Sequence, residues 1–554
     1  MAMIPVFQAI VDFLKIQATR YVFGKVGEDI LPVLDRIAVE ESLRFLSAYR
    51  EETAVLMADG YSRVGGGPAV VLVSGGGSAT QTVSAISQAV RDSSPIILLA
   101  GESTISCEGR DESGARGISQ QAMFEKITRF SSRITNPHRV VETLECAYRC
   151  AVSGKKGPVY CGVPRDLLMM ETSENIRHHN QFMSAVLPSG NPALIRRACE
   201  LLIAARTPVL LLGGGAVWSK AQAEAAELAE FLFAPIVTSS GKSGIVPDDY
   251  PLSVGRLGSK ANKVALQTVA EADVIISFGC TFDDRTTFGY SREIFSSDVK
   301  IIQVDIDPFQ IGRNYPIELG IVGDARMVLQ DILSVLRQMG AEKWPSKVIQ
   351  RIQRVWELKE SWSNEWNRLA RSSDIPIRRL RLLKDLVDEA GSEAIIFGEL
   401  DWKHCLKTSF FPLIEAQDFA LPGAHLGLAM GAKLALPDRP VVAILGDGQF
   451  VTALTELATA VEHQIPVIAV VVRNDCYGRA KATQTQFYEG RYIGVDHPFP
   501  SFAEVALSLG ALGERVDKPT EIRPAIRRAL KSHRPALIEV VVSNAIRDLK
   551  PVFE

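Results

Sequence analysis

The sequence predicts an α/β fold made of three doubly wound domains with parallel sheets. Two observations support this prediction. Short apolar runs rich in Val, Ile and Leu alternate with segments of helical period along the chain, which is the pattern of βαβ units. Most of these runs end in Gly, Ser or Asp, as strands do where their carboxyl ends face a ligand. At 554 residues the chain is long enough for about three or four domains.

The domain boundaries follow from changes in this pattern. We place the first domain at residues 1–172, the second at 191–342 and the third at 379–554. Residues 173–190 are polar and lack a period, so we interpret them as a linker. Residues 343–378 carry Trp, Lys, Glu and Arg at helical spacing, which predicts a connecting helix.

Composition argues against several classes of function. The net charge of −3 and the absence of a basic block disfavour nucleic-acid binding. None of the eight cysteines forms a CxxC pair, so we expect neither a zinc site nor a disulfide framework. Free thiols, the lack of a signal peptide and the lack of any apolar run of membrane-spanning length predict a cytoplasmic protein.

The third domain contains the most informative stretch. Two apolar runs, residues 441–446 and 467–472, flank a segment that we predict to be helical from Phe450 to His463, and they predict two parallel strands. Asp447 follows the first run and Asn474 follows the second. Because parallel strands end at the same edge of a sheet, these side chains should meet there. Carboxylate and amide oxygens suit Mg²⁺, and the glycines beside Asp447 allow backbone N–H groups to approach a phosphate. The alternative is an ordinary tight turn with a solvated aspartate.

Motifs spread over nearly the whole chain resemble those of thiamine-diphosphate-dependent enzymes. Residues 446–448, Gly-Asp-Gly, together with Asn474, resemble the signature that binds the cofactor and its metal. Residues 50–63 resemble the glutamate-bearing helix of the acetolactate synthase, pyruvate oxidase and benzoylformate decarboxylase superfamily. Residues 71–101 and 431–440 fit the same superfamily. The resemblance implies a pyrimidine-binding first domain, a central domain and a diphosphate-binding third domain.

The same resemblance implies thiamine diphosphate and Mg²⁺ as cofactors. Asp447 and Asn474 would bind the metal by side chain, and Cys476 by its backbone carbonyl. Cofactor contacts are implied for Gly398, Glu399, Gly423, Gly446, Asp447, Gly448, Gln449, Asn474 and Cys476. The central domain resembles a flavin-binding domain, so FAD is one expectation there, and an empty or ADP-like site is the other.

Three residues of the first domain are implied to act in catalysis. A glutamate at the position of Glu51 hydrogen-bonds N1′ of the cofactor's aminopyrimidine, which needs a carboxyl shielded from water. The alternative is a solvent-facing helix glutamate. Glu28 would steer proton transfer at the reacting carbon, or would be a helix N-terminal carboxylate favoured by the dipole. Gln120 would reach the reaction intermediate, or would be a surface polar residue.

The resemblance implies a carboligase of acetolactate-synthase type, in which a 2-oxo acid is decarboxylated and the enamine adds to a second carbonyl. The alternatives are a non-ligating 2-oxo-acid decarboxylase, a 2-hydroxyacyl-CoA lyase and, from another class, a non-catalytic nucleotide-binding homologue. Arg473 departs from the pattern, because relatives often carry asparagine there. Glu51 and Asp447 fall in different domains, and in the family the cofactor joins two subunits. This implies a homodimer or a homotetramer with the active site at the subunit interface.

Overall fold

Three parallel sheets with helices on their faces make up the chain, which confirms the predicted α/β fold class. In this computed structural model the described residues are 3–107, 118–172, 176–183, 187–241, 245–247, 250–258, 261–340, 349–350, 352–357, 359–360, 368, 370–398 and 421–544.

The first domain contains a six-stranded sheet and a small antiparallel pair. Its strands are β1 (Ile4–Pro5), β2 (Tyr21–Gly24), β3 (Arg44–Ser47), β4 (Ala69–Val73), β5 (Ile96–Glu102), β6 (Ser131–Arg133), β7 (Val159–Pro164) and β8 (Glu171–Thr172). The parallel sheet has the order β3-β2-β4-β5-β7-β6, and β1 pairs with β8. The chain direction across the sheet reverses between β2 and β4, so the carboxyl ends of these strands flank a crevice.

Seven helices cover this sheet. They are α1 (Val6–Ile16), α2 (Leu31–Ala38), α3 (Glu51–Tyr61), α4 (Gly77–Gln81), α5 (Val83–Arg91), α6 (Gln120–Glu125) and α7 (Val140–Val152). The segment 79–90, which reads as one helix in the sequence, is divided at Thr82. The hydroxyl of Thr82 donates to the carbonyl of Ala79 at 2.7 Å, a local side-chain bond that competes with helix continuation.

The central domain repeats the same plan. Its strands are β9 (Pro208–Leu212), β10 (Ile236–Thr238), β11 (Ser253–Arg256), β12 (Val274–Phe278), β13 (Lys300–Asp305) and β14 (Leu319–Val322), in the order β11-β10-β9-β12-β13-β14. Its helices are α8 (Pro192–Ala204), α9 (Gly214–Trp218), α10 (Gln222–Leu232), α11 (Lys263–Ala270) and α12 (Ala325–Gln338). Within the predicted connecting helix at 343–378, residues 349–350, 352–357, 359–360, 368 and 370 are helical and residues 371–378 are not; the others lie outside the described residues.

The third domain has a five-stranded parallel sheet in the order β15-β16-β17-β19-β18. The strands are β15 (Ile395–Gly398), β16 (Val441–Gly446), β17 (Ile468–Arg473), β18 (Leu512–Val516) and β19 (Ala536–Val541). The helices are α13 (Arg379–Ala390), α14 (Ala424–Ala435), α15 (Asp447–Thr452), α16 (Leu454–Glu462), α17 (Gly478–Phe487), α18 (Phe502–Ser508) and α19 (Pro519–Ser532). In the part of the chain that the structure describes, no helix has the length and apolar character needed to cross a membrane.

The helix after β16 starts earlier than the sequence suggests. It begins at Asp447 rather than near residue 450, directly where the strand ends. Gly446 is the N-cap residue, and its N–H donates to Oε1 of Gln449 at 3.0 Å. This bond satisfies a donor that the short helix leaves open, so no separate turn is needed.

Helices α3 and α14 join the first and third domains at very close range. A Cβ on Gly60 would lie 1.9 Å from the carbonyl oxygen of Leu428, and a Cβ on Gly431 would lie 1.8 Å from that of Met57. Only glycine permits this contact between the two backbones. One hydrophobic core continues from the first sheet through both helices to the third sheet, so the two domains form one packed unit.

A buried carboxyl group lies in this contact. Glu456 of α16 is 3% exposed; its Oε1 accepts from the hydroxyl of Thr53 at 3.3 Å. Its Oε2 has no hydrogen-bond partner in the described part of the chain. Burial, assisted by the charge of Glu52, raises the pKa of Glu456 from 4.5 to about 8. The folded protein therefore holds a proton here at neutral pH.

Replacement of Glu456 by Gln should stabilise the protein at high pH. Because the folded pKa is raised, the contribution of Glu456 to stability is fully present below pH 4.5 and is lost as the pH rises through about 8. We expect the melting temperature of Glu456→Gln to exceed that of the wild type by several degrees at pH 8.5, with little difference at pH 5. The exposed Glu125→Gln is the control. An equal difference at both pH values would contradict a protonated Glu456.

Candidate active site

The first-domain half of the site lies at the carboxyl ends of β2, β4 and β5. Glu51 starts α3 and is 1% exposed, so it is a buried residue rather than a solvent-facing one. Its Oε1 accepts from the hydroxyl of Ser78 at 2.6 Å, and Nζ of Lys25 lies 3.6 Å from Oε2. Oε2 has no hydrogen-bond partner among the described residues. Glu51 therefore has a buried oxygen available for a hydrogen-bond donor.

Gln120 connects the segments that end β4 and β5 by hydrogen bonds. It is 1% exposed, so the surface alternative does not apply. Its Oε1 accepts from the N–H of Gly76 at 3.0 Å, and its Nε2 donates to the carbonyl of Gly101 at 3.1 Å. The side chain thus ties the end of β4 to the end of β5. One N–H of the amide remains for another acceptor, and contact with the reaction intermediate stays a prediction.

Glu28 and its neighbour Asp29 have opposite environments. Glu28 is exposed at the start of a 3-10 turn. Asp29 is fully buried; it accepts from the hydroxyl of Ser74 and from the N–H of Gly75, the latter at 2.9 Å. Asp29 therefore fixes the β2 loop against the β4 loop, while both interpretations of Glu28 stay open.

The third-domain half of the site lies where β16 and β17 end. Asp447 is 2% exposed, and its Oδ1 accepts from the N–H of Gly448 at 2.8 Å. Its Oδ2 accepts from the N–H groups of Asn474 and Asp475 at 2.8 and 2.7 Å. Burial raises the pKa of Asp447 against the opposing effect of these backbone donors. A bound cation would favour the ionised form.

The side-chain amide of Asn474 lies between two groups of opposite character. One of its terminal atoms is 2.9 Å from the carbonyl oxygen of Cys476 and 3.2 Å from Oδ2 of Asp447. The other is 3.1 Å from Nη2 of Arg379. Without a cation, hydrogen bonding favours the nitrogen on the Asp447 side and the oxygen on the Arg379 side. A metal bound by the side-chain oxygen of Asn474 would require that oxygen to turn to the Asp447 side.

The other expected cofactor contacts surround this point. A Cβ on Gly448 would lie 2.3 Å from the ring of Tyr477, so the position requires glycine. Gly423 has φ +82° and starts α14 against α15, where a Cβ would lie 2.5 Å from the hydroxyl of Thr452. Gly398 ends β15 beside β16. Glu399 lies outside the described residues. The N–H of Gly448 is engaged by Asp447, so its donation to a diphosphate stays a prediction.

The two halves are linked within one chain. Nη1 of Arg50, the residue before Glu51, donates to the carbonyl of Thr452 at 3.3 Å. Thr452 ends α15, the helix that Asp447 begins. The backbone N–H of Tyr49 also donates to the hydroxyl of Thr459 at 3.3 Å. These bonds connect the start of α3 to the two helices that follow β16 in the same chain.

A separate cavity of about 880 Å³ lies between the central domain and the first domain. It lies where the chain direction reverses between β9 and β12, which is where open α/β sheets bind ligands. Glycines and charged residues of both signs line it, among them Gly214, Lys155, Asp305 and Arg313. Flavin binding there stays a prediction.

Comparison with known domain families identifies the family to which this chain belongs. Residues 4–127 match "Thiamine pyrophosphate enzyme, N-terminal TPP binding domain", residues 195–332 match the central domain and residues 408–540 match the C-terminal TPP binding domain. The chain belongs to the thiamine pyrophosphate enzyme family. It is a thiamine-diphosphate-dependent enzyme, as the sequence motifs predict.

Its relatives cover almost the full chain. The chain is 32% identical to a probable acetolactate synthase large subunit of Methanocaldococcus jannaschii, over 97% of this chain and 92% of the relative. It is 28% identical to the acetolactate synthase isozyme 3 large subunit of Escherichia coli, over 96% and 93%. It is also 28% identical to the sulfoacetaldehyde acetyltransferase of Alcaligenes xylosoxydans, over 95% and 91%.

The residues present fit the cofactor of a thiamine pyrophosphate enzyme. Oε2 of Glu51 is a buried acceptor without a hydrogen bond among the described residues. The side-chain amide of Asn474 lies 2.9 Å from the carbonyl oxygen of Cys476 and 3.2 Å from Oδ2 of Asp447, so the three groups that the resemblance implies as Mg²⁺ ligands lie together. Each end of the site therefore offers the chemistry that thiamine diphosphate and its metal require.

Sequence reasoning missed three side chains of this thiamine pyrophosphate enzyme. Ser78 contacts Glu51, Lys25 pairs with Glu51, and Arg379 contacts Asn474. Ser78 lies in α4, within the segment 71–101 that resembles the superfamily, and Lys25 directly follows β2. The sequence therefore indicated the region of both residues but not their contact with Glu51. Arg379 stands 95 positions before Asn474 in the chain, and nothing in the local sequence of α13 indicates the contact.

Arg379 should compete with the metal of this enzyme for the oxygen of Asn474. The Nε of Arg379 is buried without a partner among the described residues, and Nη2 occupies the side of the amide that the oxygen leaves on metal binding. We expect Arg379→Leu to lower the half-saturating Mg²⁺ concentration for thiamine diphosphate binding by roughly tenfold, the effect of one hydrogen bond to a charged group. Titration calorimetry at a series of Mg²⁺ concentrations measures it.

Arg378→Leu is the matched control, because Arg378 is the adjacent residue and pairs with the exposed Asp374. Its half-saturating Mg²⁺ concentration should equal that of the wild type. A higher Mg²⁺ requirement in Arg379→Leu would mean that the guanidinium supports the metal site instead of competing with it.

Proposed function

We propose that the protein is a thiamine-diphosphate- and Mg²⁺-dependent carboligase. It decarboxylates a 2-oxo acid and joins the remaining carbonyl carbon to a second carbonyl compound. The observation that carries the proposal is the buried Oε2 of Glu51, which has no hydrogen-bond partner among the described residues. The grouping of Asp447, Asn474 and the carbonyl of Cys476 where two strands end supports it. Residues 1–172 hold the pyrimidine end of the cofactor and residues 379–554 hold the diphosphate end.

Each end has a distinct task. When bound, thiamine diphosphate supplies a nucleophilic carbon that adds to the substrate carbonyl and accepts its electron pair as CO₂ leaves. Glu51 holds a proton shared with the pyrimidine nitrogen N1′, and the hydroxyl of Ser78 fixes the orientation of its carboxylate. Burial of Glu51 excludes water, so this hydrogen bond is not weakened by competition with solvent. Asp447 and Asn474 hold the metal on the diphosphate.

The relatives support ligation over plain decarboxylation. Their names are acetolactate synthase and sulfoacetaldehyde acetyltransferase, and both denote synthesis or group transfer. We also propose a homodimer or homotetramer, as the family resemblance implies, which sedimentation analysis of the cofactor-loaded protein tests.

Product identity tests the reaction. The purified protein, supplied with thiamine diphosphate and Mg²⁺, is incubated with a panel of 2-oxo acids that includes pyruvate, and the products are identified by mass spectrometry. Acetohydroxy acids or acyloins support a carboligase. Aldehydes alone indicate a decarboxylase, and acyl-CoA formed only from CoA substrates indicates a lyase. Failure to bind thiamine diphosphate with Mg²⁺ contradicts the proposal altogether.

Glu51→Gln should lower turnover by roughly 10²–10⁴-fold, because an amide cannot exchange a proton with the pyrimidine. Cofactor affinity should change much less, since Gln retains an acceptor at the same place. The measurements are CO₂ release and thiamine diphosphate binding by calorimetry. Glu52→Gln is the control in the same helical turn, because Glu52 pairs with Arg50 instead. Near-normal turnover of Glu51→Gln would remove Glu51 from the mechanism.

A further inference from the structure

Lys25 lies beside Glu51, at the carboxyl end of β2. It directly follows β2, and this loop flanks the point where the first sheet changes direction. Its Nζ is 3.6 Å from Oε2 of Glu51, and its side chain is 42% exposed whereas that of Glu51 is 2% exposed. The ammonium group therefore faces the buried carboxylate on one side and solvent on the other.

The ion pair with Glu51 is a loose one. A separation of 3.6 Å is longer than a hydrogen bond, so Lys25 balances the charge of Glu51 without satisfying Oε2. Among the described residues, Lys25 is the only cation paired with this carboxylate. The neighbouring Asp29 is turned inward to Ser74 and Gly75, so it accepts from the β4 loop.

Cofactor binding changes what Lys25 faces. When a pyrimidine nitrogen takes Oε2 of Glu51, the negative charge is shared with that new hydrogen bond. The ammonium of Lys25 then remains beside the site with solvent on its open side. A lysine is a compact, strongly hydrated point charge on a flexible stem, which suits it to bind a carboxylate that arrives from solvent.

The chemistry indicates which carboxylate Lys25 can bind. The carboxylate of the donor leaves as neutral CO₂, so a cation held on it would stabilise the starting state more than the transition state and slow the step. The carboxylate of an acceptor keeps its charge throughout the reaction. We propose that Lys25 binds the carboxylate of the acceptor and thereby selects a 2-oxo acid over a neutral aldehyde. This inference rests on the proposed carboligase function.

Competition between acceptors tests the proposal. An isotopically labelled 2-oxo acid donor is kept at saturation, and a second 2-oxo acid and a neutral aldehyde compete as acceptors. In Lys25→Met we expect the ratio of the two products to shift about tenfold toward the aldehyde product, the effect of one charged hydrogen bond. CO₂ release from the donor alone and hydrogen–deuterium exchange at the reacting carbon of the cofactor are measured in parallel. Loss of the charge beside Glu51 alters both products equally and leaves their ratio unchanged, so only the ratio reports on the acceptor. Lys25→Arg should restore most of the ratio.

A binding measurement provides a readout that does not depend on turnover. Oxamate, an unreactive carboxylate of pyruvate shape, is titrated into the cofactor-loaded protein by calorimetry, and Lys25→Met should weaken its binding about tenfold. Lys15→Met is the matched control, because Lys15 also pairs with a glutamate, Glu40, but on α1 before β2 begins.

The outcomes separate this inference from the proposed function. An unchanged product ratio in Lys25→Met overturns the acceptor role while leaving the carboligase intact. An equal loss with both acceptors, accompanied by slower exchange at the cofactor, also overturns it, because Lys25 would then act through Glu51. If the wild type releases no CO₂ from any 2-oxo acid, the proposed function fails first and this inference fails with it.

Discussion

The backbone contact between α3 and α14 is the constraint on which the site depends. Gly60 and Gly431 bring the two helices so close that a methyl group on either would overlap a carbonyl oxygen. Glu51 is the first residue of α3, and Gly423 begins α14 with a left-handed φ. Because the helices cannot slide past each other without a clash, the first and third domains of the chain keep a fixed arrangement.

Buried carboxylates in this region are stabilised in three different ways. Asp447 accepts three backbone N–H bonds. Glu51 has one hydroxyl, a helix N-terminus and a loosely placed ammonium group. Glu456 has a single hydroxyl donor and keeps its proton. Burial raises the pKa of both Asp447 and Glu456; three backbone donors oppose this effect at Asp447, whereas one hydroxyl donor and the charge of Arg50 oppose it at Glu456.

Much of the fold follows from the sequence because its signals are local. The strands at residues 274–278 and 236–238 coincide with runs that are apolar except for Ser277 and Thr238, because strands buried on both faces need apolar side chains on both. The beginning of α15 was predicted wrongly, because a side chain of the helix itself, Gln449, replaces the expected turn. That substitution depends on hydrogen-bond geometry that the order of residues does not reveal.

The site was predictable in part for the same reason. Asp447 and Asn474 follow two strands of one βαβ unit, so the topology alone brings them together. The surroundings of Gln120 were not predictable, because its two hydrogen-bond partners, Gly76 and Gly101, end two different strands and are joined only through the fold. Sequence motifs indicate which residues lie at the edge of a sheet. The side-chain partners that join different loops can be identified only from the folded structure.

Charge at the two ends of the site is arranged asymmetrically. At the metal end, Arg379 contacts the amide of Asn474 from the side away from Asp447. At the pyrimidine end, Lys25 stands on the solvent side of Glu51. Arg379 contacts the amide of Asn474, a group that the metal needs, so its charge opposes metal binding. Lys25 is partly exposed beside Glu51, so its charge remains accessible after the cofactor binds. We therefore expect the positive charge of Arg379 to weaken cofactor binding at the metal end and that of Lys25 to bind substrate at the pyrimidine end. The difference arises because Arg379 competes for a metal ligand and Lys25 does not.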